Sequence, residues 1–368
     1  MTRPLLMPQY VPERLVKGNS IIAVVRSVCR GLGNGRIVGP KDKDVFGYGT
    51  EVFGEGLTDY PILTGFSMQS GPKFSAASLT IEDDEYVINA TPYFSFQLAR
   101  QLMFRGMRFS RPVIVNHVLF MPGEVPSGHR EICASIAEFP SVFISALARE
   151  AWVSECRRYS SSSDVRRVLD RSEVVATGIS CTEINAVPQN QERWTFAYCG
   201  RMAPHKGFDA SLSVLEKVHS RGQTLTFLVS TFGQTSSAKL TEAARKNSFV
   251  KPHFNLARPE YLELLRRTEA FVCFSKAESY GLAWLEKIYA GQVGVFLDCP
   301  WVRAILPDYP FMVRSEIEAV AMVREIMADL PGVRAKIASF KQHIETKHNS
   351  DLCAQQFFQA AARCFEKA

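Results

Sequence analysis

No apolar run in the 368 residues approaches the ~20 needed to cross a bilayer, so no transmembrane segment is expected. The opening residues, Met1 to Tyr10, hold too short an apolar core and too many prolines for a secretory leader. The nine cysteines include no Cys-x-x-Cys pair, and several, such as Cys199 and Cys273, fall in apolar runs. An odd, scattered set fits reduced, buried thiols of a cytoplasmic protein better than a disulfide framework or a zinc site. Neither charge sign dominates. The net charge is +6, with 20 basic and 19 acidic side chains through residue 190 and 23 and 18 beyond it. That surplus neither demands nor excludes nucleic acid. Repeats are absent, and the only low-complexity tract is Ser160–Ser163.

What remains is a globular composition, 46% hydrophobic and 22% charged with mean hydropathy −0.04. The length suits two domains of roughly 150–200 residues. The second half alternates strand and helix: strands at 195–199, 225–231, 250–254, 271–274 and 294–297, with helices between and two more at 315–329 and 333–348. Alternation of this kind implies a parallel, doubly wound sheet. The first half has the same flavour, with a helix expected at 20–30, strands at 86–89, 113–116, 139–144 and 174–176, and helices at 94–104 and 146–158. Residues 40–85 show no periodicity that assigns them. The expected division is a first domain over 1–180, a linker over 181–193 rich in Asn, Gln and Glu, and a second domain over 194–350. A C-terminal helix over 351–368 is expected to pack back on the first domain.

One segment concentrates the chemistry. Glu278-Ser-Tyr-Gly-Leu-Ala-Trp-Leu-Glu286 follows the strand ending at Ser275 and opens a helix. Amides at a helix start lack intrahelical partners, and the helix dipole favours an anion there. The amides of Ser279, Tyr280, Gly281 and Leu282 therefore suit a phosphate. A carboxylate further along, Glu286, suits the hydroxyls of a ribose or sugar. A second cluster, Gly200-Arg201 with His205-Lys206-Gly207, follows the first strand of the same domain. Arg201 can fork onto two phosphate oxygens and Lys206 supplies a compact charge. With the helix dipole, these groups can stabilise a departing diphosphate without a metal.

On these residues the chain resembles the GT-B glycosyltransferases, specifically the retaining enzymes of glycosyltransferase family 4. Gly200-Arg201 with Lys206, the E-x7-E pair Glu278 and Glu286, and the strand Val113 to His117 carry the likeness, with Val174 to Ile179 resembling the family's turn before its linker. The resemblance implies an α/β fold of two Rossmann-like doubly wound domains facing across a cleft. It assigns the diphosphate to Arg201 and Lys206, the donor sugar to Glu278 and His117, and the ribose to Glu286. Retention in the family is assigned to front-face attack with the leaving phosphate as proton acceptor, so no covalent nucleophile, metal or cofactor is implied. The co-substrate would be a UDP- or GDP-linked sugar, the acceptor a hydroxyl of a glycan, a lipid-linked or a small molecule. The chain departs from the family in having one glycine, Gly18, beside Asn19 and Ser20, where a glycine pair is usual. A second pair is missing after the strand 225–230, with Gly233 as a displaced counterpart.

Plainer readings stand beside these. Lys206 and Arg201 can sit on a solvated loop, His117 can be a core histidine, and Tyr280 and Trp284 can simply pack. The arginines at 100, 105, 108 and 111 and at 157, 158, 166, 167 and 171 fit a solvated helix face, or an anionic acceptor such as DNA carrying hydroxymethylated bases. A nucleotide-sugar epimerase and a non-catalytic binding module on the same fold remain as alternatives.

Overall fold

The computed structural model describes residues 3–7, 28, 36–39, 57–59, 65–67, 71–73, 85–90, 92–104, 114–125, 128–231 and 234–366. They fall into two compact units. The first runs to Thr177 and takes in the chain again from Ser350; the second includes Gly178–Asn349.

The first unit is built on seven parallel strands in the order β3-β2-β1-β6-β7-β8-β9. These are β1 (Arg3–Met7), β2 (Arg36–Gly39), β3 (Leu57–Asp59), β6 (Glu85–Asn89), β7 (Ile114–Val118), β8 (Ser141–Phe143) and β9 (Ser172–Val174). A separate antiparallel pair, β4 (Gly65–Ser67) and β5 (Gly71–Lys73), lies within the stretch that showed no periodicity. All of β6 and β7 is buried, as strands covered on both faces must be. Helices α1 (Ser95–Phe104), α2 (His129–Glu138), α3 (Ala146–Tyr159) and α4 (Ser162–Asp170) follow in chain order. Trp152 of α3 is wholly buried among Ile132, Cys133, Ile136 and Phe143, and its indole donates to the Phe120 carbonyl at 2.8 Å. The serine tract read as low complexity is a helix start: Ser161 caps α4, and Asp164 returns the bond to the Ser161 amide at 3.0 Å. The C-terminal helix, Ser350–Glu366, buries Cys353, Phe357, Ala361, Cys364 and Phe365 along one stripe, and Phe365 stacks on Tyr86 of β6.

The second unit opens with α5 (Cys181–Ala186). The tract expected as a linker is thus part of this unit: Asn185 donates to the Tyr289 hydroxyl at 2.8 Å and Gln191 to the Thr268 carbonyl at 3.1 Å. Six parallel strands follow in the order β12-β11-β10-β13-β14-β15. They are β10 (Thr195–Cys199), β11 (Thr226–Thr231), β12 (Val250–Phe254), β13 (Ala270–Cys273), β14 (Val293–Leu297) and β15 (Met312–Val313). Between them run α6 (Phe208–His219), α7 (Gln234–Lys246), α8 (Arg258–Arg267), α9 (Leu282–Tyr289) and α10 (Pro300–Ile305), then α11 (Glu316–Ala328) and α12 (Leu330–Lys347). The chain winds from β10 to one edge and then from β13 to the other. The carboxyl ends of β10 and β13 therefore flank the topological switch point, where open α/β sheets bind ligands.

Candidate functional site

Two loops meet at that switch point. The first leaves β10 through Gly200-Arg201, whose path is fixed by the Tyr198 hydroxyl donating to the Arg201 carbonyl at 2.9 Å and the Met202 amide donating to Ser236 at 3.1 Å. Arg201 itself is exposed. A short 3-10 turn, Pro204–Lys206, then ends on Gly207 at φ +70°. A Cβ there would lie 2.2 Å from the Phe274 carbonyl oxygen, so only glycine lets the turn press against the end of β13. The Lys276 amide completes the junction by donating to the His205 carbonyl at 2.8 Å.

This junction delivers Lys206 to Glu278, 72 residues away in sequence, with Nζ 2.6 Å from Oε2. Both side chains are largely buried, at 13% and 10% exposure. The other carboxylate oxygen, Oε1, accepts from Ser275 Oγ at 2.6 Å and from the Trp284 indole at 3.1 Å. Three donors from three segments thus hold one carboxylate. Gly281, at φ +77°, caps α9, and a Cβ on it would press on Trp301 at 2.9 Å. Because α9 begins at Leu282, its intrahelically unpartnered amides begin with Leu282 and Ala283, later than sequence reasoning placed them. Tyr280 is buried and its hydroxyl bonds His348 Nδ1, so it is a packing and anchoring residue.

Glu286 sits differently from the expectation of an open ribose ligand. It is 1% exposed, with Oε1 2.7 Å from Arg258 Nη1 and Oε2 accepting from the Tyr261 hydroxyl at 2.7 Å. Burial opposes the Arg258 charge, but Glu286, Tyr261 and Glu183 outweigh it and hold the guanidinium above its ordinary range. Glu183 lies 3.1 Å from Arg258 Nε. The physical reason for the depth is that α9 is buried from Trp284 through Tyr289, so a group one turn into it faces α8 rather than solvent. Sequence reasoning missed Arg258 and Tyr261. The available signal was their i, i+3 spacing on one face of α8, on either side of Pro259.

His117 is the penultimate residue of β7 in the first unit, 4% exposed, its ring 4.1 Å from Phe357 of the C-terminal helix. Burial drives its imidazole down to about 3, so it is neutral, and this environment is that of a core histidine. Gly18, Asn19, Ser20, the helix expected at 20–30 apart from the buried, helical Val28, Gly233 and the arginines 105, 108 and 111 lie outside the described residues. So does Asp42-Lys43-Asp44, the one Asp-x-Asp spacing of the chain. Of the second arginine group, Arg158 pairs with Glu155 at 3.1 Å and Arg167 with Asp164, which spends their charge on local helix contacts. Among the described residues no group of three or more His, Cys, Asp or Glu is placed to hold a metal, and no helix is long and apolar enough to cross a membrane. The eight described cysteines are buried and none of them forms a disulfide.

Residues 181–329, within the second unit, match the family model described as Glycosyl transferases group 1. No curated protein matches the chain. Among solved structures, Anabaena HepE in complex with UDP and glucose is similar, at 12% identity and a TM-score of 0.72, over 98% of this chain and 100% of that one. A sucrose-phosphate synthase from Thermosynechococcus elongatus is similar at 12% identity and 0.65, and a glycosyltransferase from Rickettsia africae at 10% and 0.64, each over the full length of both chains. The fold is GT-B. Together with the group 1 match, it supports a glycosyltransferase.

Proposed function

We propose that this chain is a retaining glycosyltransferase that moves a sugar from a UDP- or GDP-linked donor to a hydroxyl acceptor without a metal ion. The observation that carries the reading is the Lys206–Glu278 pair at the carboxyl ends of β10 and β13, beside the start of α9. The HepE crystal structures hold UDP and UDP-glucose, which favours a donor of the same chemistry here. The diphosphate meets Arg201, the Lys206 ammonium, and the Leu282 and Ala283 amides. Positive potential from these groups stabilises the charge that develops as the bond from the anomeric carbon to the diphosphate breaks. The acceptor oxygen attacks from the face the diphosphate leaves, and its proton passes to the departing phosphate oxygen. Glu278, held by Lys206, Ser275 and Trp284, faces the donor sugar and offsets positive charge developing on its ring. The site lies in a cytoplasmic protein.

The test is calorimetric binding of UDP-, GDP-, ADP- and CMP-sugars in the presence of a chelator. One donor should bind, and Lys206→Ala should weaken it by roughly tenfold to a hundredfold, the loss of one charge-assisted phosphate contact. Binding that needs added divalent metal, or that ignores Lys206→Ala, refutes the reading.

A further inference from the structure

Helix α9 carries a lysine where its surroundings call for an apolar side chain. Lys287 is wholly buried, in a helix covered on every side from Trp284 onward. Among the described residues no carboxylate lies within ion-pair distance of it. Its ammonium instead donates to the Ala197 carbonyl of β10 at 3.3 Å. It lies 4.0 Å from the centre of the Trp284 ring, 5.0 Å from Phe271 and 5.9 Å from Tyr198. Burying an ammonium without an anionic partner is expensive, and such groups concentrate at functional sites.

The two rings at the ends of this cage are the ones that build the candidate site. The Trp284 indole donates to Glu278. The Tyr198 hydroxyl donates to the carbonyl of Arg201. A cation over an aromatic face is attracted to the ring, and it withdraws electron density, which makes an N–H or O–H on that ring a better donor. One buried charge therefore acts on both loops at the switch point. We infer that Lys287 is a positioning residue of the donor site: a buried cation that holds Trp284 and Tyr198, and through them Glu278 and the Arg201 turn, in the arrangement that receives the donor diphosphate. Burial pushes the Lys287 amine below its ordinary range, while Glu286 and Glu278 work in the other direction and favour the charge. The inference rests on the transferase reading above.

The experiment compares the nucleoside diphosphate that the wild-type chain binds best with its matching nucleoside, by calorimetry, in Lys287→Met and Trp284→Phe. Lys287→Met keeps the volume and removes the charge. Diphosphate affinity should fall roughly tenfold to a hundredfold, as it does when an outer partner of a charged ligand is lost, with nucleoside affinity unchanged. The double variant should lose no more than the worse single one, because both act through one chain of contacts. A general packing role would instead weaken both ligands or lower only the melting temperature. Unchanged diphosphate affinity in a folded Lys287→Met overturns the inference. If that variant does not fold, Trp284→Phe decides alone: it keeps a ring for the ammonium and loses the donor to Glu278, so wild-type binding by it overturns the inference too. A wild-type chain that binds no nucleoside diphosphate removes the transferase reading itself, and Lys287 falls with it.

Discussion

Removing Arg258 tests whether Glu286 is charged and sealed. In Arg258→Met the guanidinium 2.7 Å from a carboxylate of 1% exposure is lost, while most of the side-chain stem remains. Breaking a buried pair by deleting one partner costs about 3–5 kcal/mol. Here the Tyr261 hydroxyl still donates to the other oxygen at 2.7 Å, Arg258 is 19% exposed, and the partner it releases, Glu183, is 25% exposed. The cost should therefore lie near the lower bound, about 3 kcal/mol. At about 2–4 °C per kcal/mol for a unit of this size, the transition should drop by about 6–12 °C. Urea unfolding and calorimetry of the full chain read both quantities. The decisive arm repeats the substitution in Glu286→Gln, whose amide keeps the shape without the charge. There Arg258→Met should cost only about 1 kcal/mol, the value of a neutral hydrogen bond. A cost below about 1 kcal/mol in the native background, or the same cost in both, refutes the charge argument.

Three further outcomes follow from named contacts. Gly207→Ala sets a Cβ 2.2 Å from the Phe274 carbonyl oxygen at φ +70°, so the turn must shift; it should lose at least about 2 kcal/mol in denaturant midpoint, and donor binding with it. His129 is held above its ordinary 6.5 chiefly by its hydrogen bond to Glu155, so its contribution is full below 6.5 and fades as pH rises through the raised value. The same bond first, and then Arg158, hold Glu155 below its ordinary range, a contribution that is lost only in acid. Urea midpoints of the wild type should thus decline as the pH is raised above 6.5, and His129→Gln should be flat there. Trp152→Phe loses the 2.8 Å bond to the Phe120 carbonyl in a wholly buried place, and should cost about 1–3 kcal/mol by chemical unfolding.

The alternation of strands and helices was legible because each buried strand of the second unit is a short apolar run ending in a loop. What the sequence hid was local. Helix α2 starts from Gly128 in a left-handed conformation and opens with His-Arg-Glu, so its apolar stripe, Ile132, Cys133 and Ile136, looks too short to stand alone. Helix α4 hides behind serines that are its cap. The tract 181–193 is largely exposed, yet Asn185 and Gln191 bond to residues of the second unit, a tie that polarity alone does not reveal. In the candidate site, Lys206 and Glu278 were singled out on motif spacing, which does not encode the contact between them. Arg258 and Tyr261 were not, because a single sequence does not say which face of α8 meets α9.

The two glutamates of the E-x7-E segment look alike on paper and are opposite in place. Glu278 sits in the loop before α9, held by the Lys206 ammonium, the Ser275 hydroxyl and the Trp284 indole. Glu286 sits one turn inside a helix that is buried all round, with one oxygen committed to Arg258 and the other to Tyr261. Any ligand that reaches it must displace packed side chains, or be read through Arg258 as its front. A single helix start thus divides the segment: the residue before it sits in the loop at the strand end, and the residue within it is packed against α8. That division is why loss of Lys206 should appear first in affinity, and loss of Arg258 first in stability.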